Sequence, residues 1–166
     1  MKEKELILVN IDDEVVGFGE KLPVHEQGLL HRAFSIMIFN DNNEVLIHKR
    51  AIDKYHSGGL WTNACCSHPL KDEAIEITLH RKLQEEMGFD CSLTYSYKFI
   101  YKAEFNNGLT EHELDYVYIG NYNGMVNPDP LEASDYKWVN MDVVKKDVEL
   151  NPEIYTEWFK IILKQL

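Results

Sequence analysis

The chain has 166 residues, of which 45% are apolar and 27% charged, and it carries a formal net charge of −11. That length supports one domain with its own core, and no apolar run approaches the ~20 residues that cross a bilayer. A diffuse negative surface disfavours nucleic acid and acidic membrane, so an anionic ligand would need local lysines, arginines or metal ions to hold it.

Taken in chain order, the N-terminal MKEKELILVN has only a short apolar run flanked by acids. It lacks the long apolar stretch and small-residue cleavage site of a secretory signal, so a cytoplasmic protein is expected. Residues 6–10 and 14–18 read as a hairpin turning at Ile11-Asp12-Asp13, and residues 32–40 and 44–49 as a second turning at Asp41-Asn42-Asn43. Between them, His25 and His31 fall in what reads as a polar loop. Residues 60–63 suggest a short strand, and residues 72–87 the clearest helix. Asp72 is placed to cap that helix and Gly88 to stop it, with an apolar stripe through Ala74/Ile75, Leu79, Leu83 and Met87. Strands are expected at 93–105, 112–122 and 132–139, then helices at 141–146 and 153–166, the last amphipathic through Ile154, Trp158, Ile161 and Ile162. Mixed strands with a few helices imply an α/β or α+β sandwich, and no linker divides the chain, so residues 1–166 read as a single compact domain.

The chemistry concentrates at TNACCSHP, residues 62–69. The chain has three cysteines, Cys65, Cys66 and Cys91, an odd number that fits free thiols. A bridge between neighbours closes a strained ring, which disfavours a Cys65–Cys66 disulfide. A metal site and a catalytic thiol both remain open. Three of the seven histidines stand out, His25, His31 and His68, together with Glu111 and Glu113. On a strand those two carboxylates point the same way. Three histidines and two carboxylates would suit Zn²⁺, Mn²⁺ or Mg²⁺, whereas the bland alternative is an exposed acidic edge with unrelated loop histidines. Cys66 could likewise be a plain buried filler, the role that better suits Cys65 and Cys91.

The end of the 72–87 helix resembles the Nudix signature, G-x5-E-x7-R-E-U-x-E-E-x-G-U with U aliphatic. Glu73, Arg81, Leu83, Glu85, Glu86 and Gly88 match, and Phe89 is apolar at the last place. Ser67 stands in place of the first glycine and Lys82 in place of a metal-binding glutamate. An ammonium cannot ligate a cation, so the constellation for diphosphate hydrolysis is broken while the fold signal survives. With LHRAFS (30–35), KRAIDK (49–54), GLWTNACCSHP (59–69), FIYKAEF (99–105) and EHELDYVY (111–118), the chain resembles the type I isopentenyl-diphosphate Δ-isomerases over nearly its whole length.

That resemblance implies a Nudix-type mixed β-sheet sandwiched by helices, acting on a small isoprenoid diphosphate as a monomer or weak dimer. It implies Cys66 and Glu113 as the catalytic pair, Tyr101 beside the glutamate, and Trp158 as the active-site tryptophan, with Glu157 where the family has proline. His25, His31, His68, Glu111 and Glu113 would hold one divalent ion, Zn²⁺, Mn²⁺ or Mg²⁺. Glu86 would hold Mg²⁺ with the diphosphate, faced by Lys21, Arg50, Lys54 and Arg81. The implied assignment has the Glu113–Tyr101 side deliver a proton and a Cys66 thiolate remove one, with roles exchanged in the reverse direction. Two rivals are a Nudix diphosphohydrolase of a nucleotide-like substrate, and a catalytically idle domain that binds diphosphates.

Overall fold

The computed structural model describes residues 4–54 and 56–166. The elements run β1 (Leu6–Val9), β2 (Val15–Gly19), α1 (Lys21–Gln27), β3 (His31–Phe39), β4 (Glu44–Arg50), β5 (Trp61–Thr62), β6 (Cys65–Ser67), α2 (Ile75–Met87), β7 (Leu93–Glu104), β8 (Thr110–Asn121), β9 (Ala133–Asn140), α3 (Met141–Leu150), a 3₁₀ turn at Pro152–Ile154, and α4 (Glu157–Gln165). The expected hairpins and strands are present. No helix among the described residues is long and apolar enough to cross a membrane.

The strand β3 organises the sheet. Its Ser-Ile-Met-Ile-Phe run is apolar on both faces because both faces are covered. It pairs with β1, β4 and β6 antiparallel and with β8 parallel along its whole length. Phe34, Ile36 and Ile38 face a core shared with Leu79, Leu83 and Met87 of α2. Met37, on the opposite face, joins Val45, Ile47, Val117, Phe159 and Ile162 in a second core under α4. The sheet is thus sandwiched between helices, as the sequence implies.

Several boundaries differ from expectation, and the helix expected at 141–146 runs on to Leu150. His25 lies on a helix, α1, not in a loop; Val24 and His25 are buried, and their packing holds seven residues helical despite Pro23. The helix α2 starts three residues late. Asp72 adopts a left-handed backbone (φ 65°) that lies outside helical space, so Ala74 is the cap residue. At the other end Gly88 (φ 75°) is required, since a Cβ there would meet the Asn127 carbonyl oxygen at 2.5 Å. The expected 153–166 helix is broken in two. Thr156 N–H donates to Trp61 O at 3.0 Å, and the Thr156 and Thr62 hydroxyls meet at 2.8 Å, drawing the chain out of helix before α4 begins.

Candidate active site

Register builds the site. Across β7, β8 and β3, Tyr101 lies opposite Glu113, and Glu113 opposite His31. Across β3 and β6, Ser35 lies opposite Cys66. Alternation along β8 sends Glu111, Glu113 and Asp115 to the face that Val117 continues into the α4 core. Acids therefore occupy one stretch of an otherwise apolar face, and all three are buried.

The buried carboxylates are held by histidines. Glu111 Oε1 lies 2.7 Å from His25 Nε2 and 3.4 Å from His31 Nε2, and its Oε2 lies 2.6 Å from His56 Nε2. Glu113 Oε2 lies 2.8 Å from His68 Nε2 and 3.4 Å from His31 Nε2, while Oε1 accepts the Tyr101 hydroxyl at 2.5 Å. Burial would raise the carboxyl of Glu111, but the surrounding histidines His25, His31 and His56 hold it well below the usual range. Burial and the neighbouring Glu111 would likewise raise Glu113, and His31 and His68 reverse this. Burial alone would lower His31, yet its two carboxylate neighbours push it up to about 10.

These residues fit a divalent cation. The ligand atoms of His25, His31, His68 and Glu111 all lie within 4.8 Å of one another. His25 Nδ1 lies 2.6 Å from Lys21 O, and His31 Nδ1 lies 2.9 Å from Leu29 O. A carbonyl only accepts, so both Nδ1 atoms carry hydrogens and both Nε2 atoms can present lone pairs, the tautomer that metal-bound histidines adopt. His31 Nε2 is buried with no hydrogen bond and points between two carboxylates. A cation at that point would displace the Nε2 proton and satisfy the ring nitrogen and both acids together.

Cys66 sits in a separate network centred on Asn63. The Asn63 amide nitrogen donates to Ile36 O at 3.0 Å and Cys65 O at 3.1 Å, which fixes where Oδ1 points. That oxygen accepts from Cys66 Sγ at 3.1 Å, Trp158 Nε1 at 3.2 Å and Thr62 Oγ1 at 2.9 Å. Burial, then Asp115, pushes the Cys66 thiol far up, so at rest it keeps its proton. Tyr101 is also pushed well up, by burial and Glu113. The environment thus favours the protonated thiol at Cys66 and the carboxylate at Glu113. Cys65 points the other way into the α2 core and donates to Glu86 Oε2 at 3.6 Å.

Cys66, Glu113, Glu111, His68 and Trp158 line one cavity with Lys21, Arg50, Lys54, Lys82, Glu86 and Glu132. Lys54 pairs with Glu132 at 2.5 Å and Lys82 with Glu86 at 3.3 Å. Arg50 lies over the Trp158 ring at 5.3 Å, and its buried Nε has no hydrogen bond. Burial raises the Glu86 carboxyl, with Lys82 opposing. Burial and the charge of Lys54 lower Lys21. Arg81 is placed differently from expectation. It pairs with Glu73 at 2.6 Å and Glu85 at 3.5 Å, and lines an adjoining hollow while Lys82 takes the place in the main cavity. Lys82 and Glu86 are four apart on α2 and share a face that Arg81 does not. His56, Asn63 and Asp115 also belong to the site and were not singled out from sequence. Asp115 had a readable signal, its alternation with Glu111 and Glu113.

The NUDIX domain family pattern matches residues 29–159. An isopentenyl-diphosphate Delta-isomerase 2 of Aromatoleum aromaticum is 44% identical over 164 residues, covering 99% of this chain and 87% of the relative. One of Photorhabdus laumondii is 47% identical over 163 residues, covering 97% and 91%. Among solved structures, a protein of Deinococcus radiodurans superposes with TM-score 0.80 at 17% identity over 98% of each chain. A MutT NUDIX hydrolase from Burkholderia pseudomallei superposes with TM-score 0.66 at 21% identity, over 82% of this chain and 98% of the other. The two structures share the fold, and the sequence relatives narrow the group. With a NUDIX fold whose signature helix has lost a metal-binding glutamate to Lys82, and with near-full-length relatives of this kind, the chain belongs to the isopentenyl-diphosphate Delta-isomerase family of the NUDIX superfamily.

Proposed function

We propose that this protein interconverts isopentenyl diphosphate and dimethylallyl diphosphate, using Cys66 and Glu113 as the proton-exchanging pair. One proton is added at the terminal CH₂ and one removed from C2, through a tertiary carbocation. Such a reaction needs an acid and a base on opposite faces of the substrate, and a cation stabiliser that does not attack. The observation that carries this reading is the convergence of Cys66, Glu113 and the Trp158 ring on one cavity.

One member of the pair gives a proton while the other takes one, with Tyr101 hydrogen-bonded to Glu113 on its side. Reversibility makes the same pair serve the other direction with roles exchanged. Asn63 positions both the thiol and the indole through one carbonyl oxygen. The Trp158 face stabilises the cation, a contact worth about 2 kcal/mol when desolvated. The substrate's hydrocarbon end must be kept from water, which would trap the cation as an alcohol, and Phe34 and Trp158 are the apolar side chains lining the cavity.

Lys21, Arg50, Lys54 and Lys82 neutralise the diphosphate despite the net charge of −11. His25, His31, His68, Glu111 and Glu113 hold one divalent ion, Zn²⁺, Mn²⁺ or Mg²⁺, and Glu86 holds Mg²⁺ with the substrate diphosphate. Bound there, the ions supply charge neutralisation and lower the basicity of the carboxylates they touch. Arg81 stays outside this set, held by Glu73. The reading extends to a single-domain, cytoplasmic monomer or weak dimer that binds neither nucleic acid nor membrane.

Proton NMR of isopentenyl diphosphate incubated with protein and Mg²⁺ tests the activity. Dimethylallyl signals are expected. Release of phosphate or pyrophosphate without dimethylallyl product would instead establish a diphosphohydrolase, and binding without turnover an idle diphosphate receptor.

A further inference from the structure

His56 belongs to the carboxylate cluster but differs from the histidines that fit the metal. Its Nε2 lies 2.6 Å from Glu111 Oε2, the oxygen that His25 and His31 do not share. Its other ring nitrogen, Nδ1, lies 3.2 Å from the Ser57 hydroxyl, not from a backbone carbonyl. A hydroxyl can donate where a carbonyl cannot. The carboxylate only accepts, which calls for the hydrogen on Nε2, and the Ser57 hydroxyl can then donate to Nδ1. Ser57 holds a left-handed backbone (φ 56°), a conformation costly for a residue other than glycine, at the point where its hydroxyl meets this ring. The ring plane is also fixed: His56 stacks on Phe105 with centroids 4.6 Å apart and planes 7° from parallel, and meets Trp158 edge-on at 5.9 Å.

A carboxylate can ligate through one oxygen or both, and the choice depends on what holds the second oxygen. We propose that His56 is a positioning residue that donates Nε2–H to Glu111 Oε2 and so reserves Oε1 for the cation. It acts through Glu111 and is not itself a ligand. The same residue ties the cluster to the rest of the cavity, since its backbone oxygen accepts from Arg50 Nη2 at 3.2 Å. This inference rests on the reading of the histidine–carboxylate group as a metal site.

The test measures metal binding itself. Zn²⁺ affinity is determined by chelator competition for the wild-type protein, His56→Ala and His56→Gln, and zinc-edge X-ray absorption counts the histidine ligands in each. Gln retains a side-chain N–H that can reach the carboxylate. The expected result is affinity about 10–100-fold weaker in His56→Ala, the usual cost of losing an outer-shell partner. His56→Gln is expected to recover most of it, with the histidine count unchanged in all three proteins. Equal affinity in wild type and His56→Ala would overturn the positioning role while leaving the metal site intact. A histidine count one lower in both variants would overturn it by making His56 a ligand. Wild-type protein that binds no Zn²⁺ would overturn the metal-site reading, and the inference with it.

Discussion

Two groups of charges line the same cavity and are held in different ways. The acids of β8 are buried and multiply paired: Glu111 meets three histidines, and Glu113 meets two histidines and a tyrosine. The cavity's cations pair with fewer and less buried partners, Lys54 with Glu132 and Lys82 with Glu86 and Glu85. A buried charge persists only where partners offset its desolvation. The first group is therefore preorganised around a point that a small cation completes. The second carries spare positive charge and is suited to an anion that arrives and leaves. In the proposed function the first group would hold the ion and the second the substrate diphosphate.

Four measurements break or sharpen this contrast. Withdrawing divalent metal with a chelator has the largest expected effect. Turnover stops, and the protein loses about 2.7 kcal/mol if metal had been supplied at a hundredfold excess over its Kd, a drop of roughly 5–10 °C in Tm. A Tm that ignores chelator would place the first group among purely structural networks. Lys54→Met and Lys82→Met act on the second group. Each is expected to raise KM roughly 10–100-fold, the equivalent of a charge-assisted hydrogen bond, with kcat nearly unchanged.

Lys21 adds a pH signature. Burial and Lys54 lower its pKa, so it loses its charge earlier than an ordinary lysine as pH rises. KM for the diphosphate is expected to climb on the alkaline side, beginning below the ordinary lysine range near 10.4. Lys21→Met, with an already raised KM, should lack that limb. Arg81→Ala is expected to do least, because its partner Glu73 is an ion pair near the surface. Its cost is under about 1 kcal/mol in urea titration, with KM unchanged. A large rise in KM there would return Arg81 to the diphosphate group.

Much of this contrast was legible in the sequence. Strand alternation put Glu111 and Glu113 on one face, while Cys66, His68 and Glu86 were read through the resemblance of the TNACCSHP segment and the signature helix to the isomerase family. The misses have local causes. The helix α1 has seven residues and a proline at its third position, so propensity argues against it and only the burial of Val24 and His25 sustains it. His56 lies between elements, where no periodicity assigns a direction. Lys82 was read only as a broken ligand, although its four-residue spacing from Glu86 already placed the two on one face. The burial of Cys66 beside Asp115 also follows from strand pairing across the sheet, which sequence spacing does not convey.

The most direct test of the catalytic pair is deuterium incorporation from D₂O, followed by NMR for wild type, Cys66→Ala and Glu113→Gln. Wild type is predicted to place deuterium in a methyl group of dimethylallyl diphosphate. Each variant is predicted to slow that incorporation about 10²–10⁴-fold, in product and in recovered substrate alike. A variant that still forms deuterated dimethylallyl diphosphate at close to the wild-type rate would contradict the assignment of that residue.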